Sequence, residues 1–214
     1  MEELIDLTHV IEDNMPVYPG DIRTNLFQTN YLSVNNYNNH RLDIGMHAGT
    51  HIDSPMHLTE SNEYISEVSL ESFIGDGCII DVRNQPIIKM KTEYEELIKE
   101  NSIVLLYTGL DKIYGRPEYY EDHPIIDVSL CKFLLKKNIK MLGIDMPSPD
   151  KYPFEIHKLL LQNKIYIMEN LTNLDKLLRI KDFEVMAFPL KIKADASMTR
   201  VIARIMREDG GNKQ

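Results

Sequence analysis

The sequence contains no tryptophan and only two cysteines among its 214 residues. Cys78 and Cys131 each lie in an apolar stretch, so we interpret them as buried free thiols in a reducing compartment rather than as a disulfide pair. No apolar run approaches the roughly 20 residues that a membrane-spanning helix needs. The N-terminal residues show neither the basic nor the apolar region of an export signal. We therefore expect a soluble, cytoplasmic protein.

Positive charge is also scarce, because 24 lysine and arginine residues face 33 aspartate and glutamate residues, giving a formal net charge of -9. Nucleic acids and anionic membranes require basic patches, so neither is expected as a partner. A hydrophobic fraction of 43% and a charged fraction of 27% are typical of a globular protein. The length fits one domain, which we predict over residues 1–209, followed by a disordered tail at 210–214.

Three signatures of other enzyme classes are missing from the sequence. The chain has no G-x-S-x-G, no G-x-x-x-x-G-K-[ST] and no G-x-G-x-x-G. A serine nucleophile on a strand-to-helix turn is therefore not predicted. The usual phosphate-binding and dinucleotide-binding loops are not predicted either.

Apolar strands and helix-like segments alternate over most of the chain. Amphipathic patterns predict helices over residues 92–101, 127–138 and 171–179, and one that begins near His157. Apolar patterns predict strands over residues 4–10, 73–82, 103–107, 140–145, 164–169, 184–192 and 200–206. This alternation is typical of an α/β domain with some parallel pairing, and the strand-rich N-terminal third argues against a pure doubly wound sheet.

Residues 47–57, with the sequence HAGTHIDSPMH, hold three of the chain's seven histidines and one carboxylate. His47, His51, Asp53 and His57 have odd numbers, so an extended chain would present them on one face, whereas a helix would not. A straight strand would place the first and third of them about 20 Å apart at ~3.3 Å per residue, although metal ligands lie only ~2 Å from their ion. We therefore predict that the segment curls at its glycine and its proline. A histidine-rich surface loop is the alternative interpretation.

The segment resembles the HxGTHxDxPxH signature of the cyclase family, which includes bacterial kynurenine formamidases (arylformamidases) and isatin hydrolases. The similarity extends to the family's opening at residues 4–9 and 16–21, its middle at 107–109 and 143–150, and its second half at 157–174. Nearly the whole chain is covered. The resemblance implies the family's β/β/α (swivelling-type) arrangement, in which a mixed β-sheet core is flanked by helices.

The resemblance also implies a site for two metal ions. His47, His51 and Asp53 match ligands of a first ion, and His157 and Glu169 join Asp53 around a second. From the residues alone, Glu169 ends an apolar strand, a common place for a functional carboxylate in an α/β fold, and His157 opens a helix. Without the family pattern, we would interpret both as structural residues. Imidazole and carboxylate ligands without thiolate suit Zn²⁺, while Mn²⁺ and Fe²⁺ stay open.

His57, which the ligand set does not require, resembles the family's catalytic acid/base. A metal brings the pKa of its water down to about 7, and the resulting hydroxide would attack an amide or formamide carbonyl. His57 would take the water proton and return it to the leaving nitrogen. The resemblance therefore implies a metal-dependent hydrolase of a small aryl formamide or cyclic amide, with N-formylkynurenine as the leading substrate.

Tyr18 stands where kynurenine formamidases of this family usually carry tryptophan, at a position that lines the aromatic substrate pocket. Because a tyrosine ring also stacks on aromatic groups, Tyr18 is the predicted substrate-binding residue. We interpret Tyr114, Tyr119 and Tyr120 as aromatic residues of surface loops, with a pocket wall as the alternative.

Two other functional classes are compatible with the same residues. In the first class, the protein is still a metal-dependent enzyme, but it catalyses a cyclisation, a dehydration or the hydrolysis of an isatin-like or other non-kynurenine substrate. The second is a non-catalytic metal-binding assembly protein, which would have no need of His57. The resemblance further implies a homodimer or homotetramer that acts on a small molecule.

Overall fold

The computed structural model describes residues 3–205, so the predicted tail at 210–214 lies outside the described residues. The strands are β1 (Glu3–Asp6), β2 (Asn25–Asn30), β3 (Asn39–Asp43), β4 (His51–Asp53), β5 (Ile74–Asp81), β6 (Ile87–Ile88), β7 (Ile103–Tyr107), β8 (Ile125–Ile126), β9 (Met141–Ile144), β10 (Tyr166–Glu169), β11 (Phe183–Pro189) and β12 (Ala196–Ile205). The helices are α1 (Leu32–Asn35), α2 (Tyr94–Leu97), α3 (Pro117–Glu121), α4 (Val128–Lys136) and α5 (Glu155–Gln162). Within these residues no helix is long and apolar enough to cross a membrane. The cytoplasmic location and the single domain stay predictions.

A large curled sheet forms the centre of the fold. Its strand order is β1-β12-β11-β5-β7-β9-β10-β4, and β4 also pairs with β12, so the sheet turns back on itself. The neighbours β5, β7, β9 and β10 run parallel, whereas the pairings that involve β1, β4, β11 and β12 are antiparallel. The predicted α/β fold, with a mixed β-sheet core and flanking helices, is confirmed.

Strand β7, with the sequence IVLLY, is buried along its whole length. Because successive side chains of a strand point to opposite faces, Val104 and Leu106 join one core cluster while Ile103 and Leu105 join another. The first cluster includes the apolar sides of α4 and α5, and the second includes residues of β11 and β12. Cover on both faces explains the continuous apolar run in the sequence.

Two helices predicted from the sequence are wrong in extent. Residues 92–101 are helical only over Tyr94–Leu97, and residues 171–179 contain only a 3₁₀ turn over Leu174–Leu177. Short helices are marginal without tertiary packing. Since α2 buries only Tyr94, little packing is available to extend it beyond one turn.

The largest differences between predicted and observed strand boundaries are four residues each. The first strand ends at Asp6 rather than at residue 10, and the last begins at Ala196 rather than at residue 200. The predicted end of the last strand, residue 206, lies outside the described residues. Ser197 and Thr199 are buried, and their hydroxyls donate to main-chain carbonyls. Because these residues are polar, the sequence does not show the apolar pattern from which an interior strand is predicted. The earlier start brings the beginning of β12 beside β4.

Candidate metal centre

The histidine-rich segment curls in the structure, as its residue spacing predicted. Gly49 takes a positive φ of 66°, which costs glycine no steric strain, and a Cβ there would lie 2.7 Å from the side chain of Met15. Strand β4 ends at Asp53, and Pro55 then opens a single 3₁₀ turn that ends at His57. The turns before and after β4 fold both ends of the segment back toward Asp53.

Asp53 lies at the centre of the cluster with a fully buried side chain. Its Oδ1 lies 2.9 Å from His47 Nδ1 and 3.4 Å from His51 Nε2, and its Oδ2 lies 3.7 Å from His157 Nε2. Strand β4 is held on both sides, by β10 and by β12. One rigidly held carboxylate therefore faces three of the predicted histidine ligands.

Glu169 and His157 reach the cluster from the second half of the chain. The pairing of β10 with β4 sets Glu169 opposite His51, and their Oε2 and Nε2 atoms lie 3.4 Å apart. His157 lies in the first turn of α5, with its Nε2 3.1 Å from Glu169 Oε1. The structure thus brings all five predicted ligands together, while their binding of metal stays a prediction.

Hydrogen bonds behind the cluster orient its two most buried histidines. His51 Nδ1 donates to the carbonyl of Gly49 at 2.8 Å, and His157 Nδ1 donates to Asp150 Oδ1 at 2.6 Å. In each ring the Nε2 atom is then left to face the carboxylates of the cluster. Such outer bonds fix the tautomer and the ring orientation of metal-binding histidines.

His47 and His51 hold protons strongly, because their pKa values are raised. Burial lowers the pKa of His47, but the hydrogen bond to Asp195 and the close contact with the Asp53 carboxylate outweigh it and raise the pKa to about 9. Burial also lowers the pKa of His51, but the carboxylates of Asp53 and Glu169 raise it to about 10. At neutral pH a metal ion must therefore displace protons in order to bind.

The pKa values of the two carboxylates shift in the opposite direction. Burial raises the pKa of Asp53, but the facing histidines, His51 foremost, hold it well below its usual value. Burial and the charge of Asp53 both raise the pKa of Glu169, but its contacts with His157 and His51 bring the net value below normal. Both side chains are consequently ionised at neutral pH and offer anionic oxygen ligands.

Unsatisfied atoms at the centre of the cluster fit a metal ion. Among residues 3–205, His51 Nε2 and both side-chain oxygens of Asp53 are buried without a hydrogen bond of normal geometry, although buried polar atoms are ordinarily paired. Ligand atoms of His51, Asp53 and Glu169 lie within 4.8 Å of one another, as do those of His47, Asp53 and His57. Imidazole nitrogen and carboxylate oxygen suit Zn²⁺ and are compatible with Mn²⁺.

His57 is more exposed than the deeper residues of the cluster, with about 28% of its side chain accessible. Its ring centroid lies 4.2 Å from that of His47 and 6.2 Å from that of His157. This position is compatible with binding an ion beside His47 and Asp53, or with exchanging protons with a substrate. The acid/base role of His57 stays a prediction.

Two carboxylates that contact the site were missed from the sequence. Asp150 bonds to His157 from seven positions earlier, and no capping signal marks it, because the N-cap position of α5 is Phe154. Asp195 Oδ2 lies 3.0 Å from His47 Nε2 and 3.3 Å from His57 Nδ1. Because 138 positions separate Asp195 from His57, no local spacing could have revealed it.

A cavity of about 240 Å³ opens beside the cluster. The predicted substrate-binding residue, Tyr18, lies in its wall and packs edge-to-face against Tyr120, with ring centroids 5.8 Å apart. A mainly apolar wall with a few convergent polar groups is typical of a small-molecule site. The ionisable and aromatic residues in the lining are Asp21, His47, His57, His157, Glu169, Tyr18, Tyr114, Tyr120 and Phe154.

The interpretation of Tyr114, Tyr119 and Tyr120 as surface-loop aromatics is wrong. Tyr114 and Tyr120 line the cavity, whereas Tyr119 is fully buried and its hydroxyl donates to Asn170 Oδ1 at 2.7 Å. Tyr114 donates its hydroxyl proton to the carbonyl of Pro16 at 3.0 Å. Tyr119 packs edge-to-face against both other rings. Burial and hydrogen bonds therefore make this segment a fixed wall of the cavity.

The fold and the cluster together define an α/β protein with a histidine–carboxylate site of the kind used by metal-dependent hydrolases. The chain is 27% identical to a kynurenine formamidase of Bacillus cytotoxicus, over 94% of this chain and 97% of that relative. It is 34% identical to an uncharacterised protein of Methanocaldococcus jannaschii, over 94% of this chain and 98% of the relative. Isatin hydrolase A from Labrenzia aggregata, solved with benzyl benzoate, has a TM-score of 0.83 at 24% identity, over 96% of this chain and 94% of that one.

The family follows from a further match. Residues 5–151 fit the family model described as putative cyclase. This range is well over half of the 214 residues, so the chain belongs to the cyclase family, and the resemblance stated from the sequence is confirmed. The likeness to the solved isatin hydrolase supports the shared fold.

Proposed function

We propose that this chain is a metal-dependent hydrolase of a small aryl formamide or cyclic amide, with N-formylkynurenine as the leading candidate. One observation carries the proposal: buried ligand atoms without a hydrogen bond of normal geometry lie beside a cavity with aromatic walls. The relative named kynurenine formamidase, aligned over 97% of its length, supports a formamide as the substrate class.

The proposed metal ligands are His47, His51, Asp53, His157 and Glu169. We expect two Zn²⁺ ions, with Mn²⁺ as the alternative. When bound, such an ion supplies a Lewis acid and lowers the pKa of water. The chain's own contribution is to hold the five donors together in advance, through the pairing of β4 with β10 and β12 and through α5.

His57 carries the proton in this proposal. Its Nδ1 donates to Asp195, which leaves Nε2 to accept a proton from the attacking water. The same nitrogen returns that proton to the leaving nitrogen as the formyl C–N bond breaks. The products are formate and the free arylamine, so the reaction needs no oxidant or further reactant.

The aromatic wall of the cavity would hold the substrate's ring. Tyr18 and Tyr120 offer faces and edges to an aromatic group, and such pairs prefer offset or edge-to-face packing. Ligand pockets commonly have volumes of ~300–1,000 Å³. A cavity of about 240 Å³ lies just below this range, which favours a small substrate over a large one.

An activity assay on metal-depleted and reloaded protein tests the proposal. We expect formate release from N-formylkynurenine to be lost with chelator and restored by Zn²⁺ or Mn²⁺. His57→Asn should lower turnover by roughly 10² to 10⁴ while metal stays bound. Hydrolysis of isatin alone would move the substrate class to cyclic amides. A protein that binds metal but hydrolyses neither compound would favour the cyclase or the non-catalytic alternative.

We also propose that the chain forms a homodimer or homotetramer. Strands β2 and β3 form a separate two-stranded sheet, and such a pair is marginally stable alone. The two strands and the segment that joins them carry exposed apolar side chains, namely Phe27, Tyr31, Leu32, Val34, Tyr37 and Leu42. Light scattering should show an oligomer that the double substitution of Phe27 and Leu42 by serine weakens, and a monomeric parent protein would contradict the proposal.

A further inference from the structure

We infer that Asp195 is a positioning residue that orients the metal ligand His47 and the proton carrier His57 through a single carboxylate oxygen. The inference rests on the proposed function for the roles of the two histidines. Asp195 would accept a hydrogen bond from both rings, so that the orientation of the metal ligand and the orientation of the proton carrier depend on the same carboxylate oxygen.

The fold holds the Asp195 backbone in place independently of its side chain. The antiparallel register pairs Ala196 with Asp53, which sets Asp195 beside Ser54. The amide of Ser54 donates to the Asp195 carbonyl at 3.0 Å, and the Ser54 hydroxyl donates to the same oxygen at 2.7 Å. Substitution of the side chain should therefore leave this part of the chain in position.

The hydrogen-bond chemistry defines which nitrogens carry protons. A carboxylate oxygen accepts hydrogen bonds, and both histidine rings point a nitrogen at the same oxygen of Asp195. The Nε2 of His47 and the Nδ1 of His57, at 3.0 and 3.3 Å from Oδ2, must both be donors. His47 then presents Nδ1 to Asp53 at 2.9 Å, and His57 keeps Nε2 as its basic nitrogen.

The other two histidine ligands show the same construction with separate acceptors. His51 is anchored by the carbonyl of Gly49 and His157 by Asp150. Asp195 differs because it anchors a second ring as well, with ring centroids of the two histidines 4.2 Å apart. Loss of the carboxylate should consequently affect metal binding and proton transfer together.

The test compares Asp195→Asn with the parent protein and with Asp182→Asn, which makes the same change at an exposed aspartate. Loss of an outer-shell partner typically weakens metal binding or activity 10- to 100-fold. We expect this loss of Zn²⁺ affinity, measured by chelator competition, in Asp195→Asn alone. Nitrogen-15 NMR of the Zn²⁺-loaded protein should show His57 with its proton on Nδ1 in the parent and a mixture of tautomers in the variant.

Kinetics provide a third readout, in which kcat on N-formylkynurenine should fall 10-fold or more while KM changes little. Parental Zn²⁺ affinity and an unchanged His57 tautomer in Asp195→Asn would overturn the inference. Weaker Zn²⁺ affinity with an unchanged His57 tautomer would overturn the claim that Asp195 orients both histidines. If the parent protein hydrolyses no formamide, the proposed substrate fails, yet affinity and tautomer still decide the role of Asp195. Asp195→Ala, which keeps the backbone bonds to Ser54, replaces the asparagine variant if that variant misfolds.

Discussion

Asp53 and His57 lie four positions apart but face different partners. Asp53 is fully buried among three histidines, whereas His57 is partly exposed and bonds to one carboxylate. We predict that Asp53→Ala abolishes metal binding, because the carboxylate common to both candidate ligand groups is lost. His57→Ala should keep its metal, as measured by elemental analysis of dialysed protein. A metal-free His57→Ala together with a fully loaded Asp53→Ala would show that the roles are reversed.

Tyr18 provides a residue-scale test of the aromatic wall. Its ring lines the cavity and packs on Tyr120, and an aromatic pair contributes about 0.5–1.5 kcal/mol beyond the area that it buries. Tyr18→Ala should therefore raise KM for an aryl formamide by roughly 2- to 10-fold with little change in kcat, whereas Tyr18→Phe should stay near the parent. The control is Tyr152→Ala, at an 86% exposed ring. Equal KM values for Tyr18→Ala and the parent would remove Tyr18 from the binding site.

At the scale of the element, helix α5 depends on the residue that orients its ligand. Asp150 Oδ2 accepts the amide of Ile156 at 2.6 Å while Oδ1 accepts the ring of His157. Asp150→Ala would strip a buried charged acceptor from both, and a hydrogen bond to a charged group is worth about 1.5–3 kcal/mol. We predict that it lowers the free energy of unfolding of the metal-free protein by at least about 2 kcal/mol, measured by urea titration.

The matched control is Asp127→Ala at the start of α4, where the aspartate caps the helix by accepting the amide of Ser129 in a solvent-exposed bond. Its loss should cost less, because water can replace an exposed acceptor. Equal losses of stability in the two variants would mean that Asp150 acts only as an ordinary cap.

The elements that could be predicted from the sequence are those with a strong local pattern. Strand β7 is continuously apolar, and it was placed correctly at Ile103–Tyr107. The start of β12 was missed because Ser197 and Thr199 are polar yet buried. Asp195 immediately precedes this strand, so the same error hid its contact with the site. The spacing of the motif predicts the part of the cluster that lies within residues 47–57. The contacts with distant residues depend on strand pairing, which the spacing does not reveal.

On the scale of the whole molecule, the curled sheet determines the charge balance of the site. Strand β4 is held between β10 and β12, so three carboxylates from distant parts of the chain meet the histidines of one cluster. Glu169 contacts His51 and His157, Asp195 contacts His47 and His57, and Asp53 lies between the two pairs. Water is excluded from the centre because the side chains of His51 and Asp53 are at most 1% exposed. A buried carboxylate or a buried imidazolium is unfavourable without a partner of opposite charge. The stability of the protein should therefore depend on which cations, protons or metal, occupy it.

The last prediction follows from the direction of the histidine shifts. The pKa values of His47 and His51 are raised to about 9 and about 10 from an ordinary value of 6.5. Their contribution to stability is fully present below pH 6.5 and is lost as the pH rises through 9 and 10, because the folded state then releases protons that it held more tightly than the unfolded chain did. The metal-free protein should thus lose thermal stability from pH 6.5 to 9.5.

Metal competes with those protons, so the gain in Tm on adding Zn²⁺ should increase over the same range. Thermal unfolding with chelator and with Zn²⁺ measures both changes in Tm. Asp53→Asn removes a charge that raises both pKa values, so the loss of Tm with rising pH in chelator should become smaller. A gain in Tm that stays constant or narrows with rising pH would show that protons and metal do not share these nitrogens.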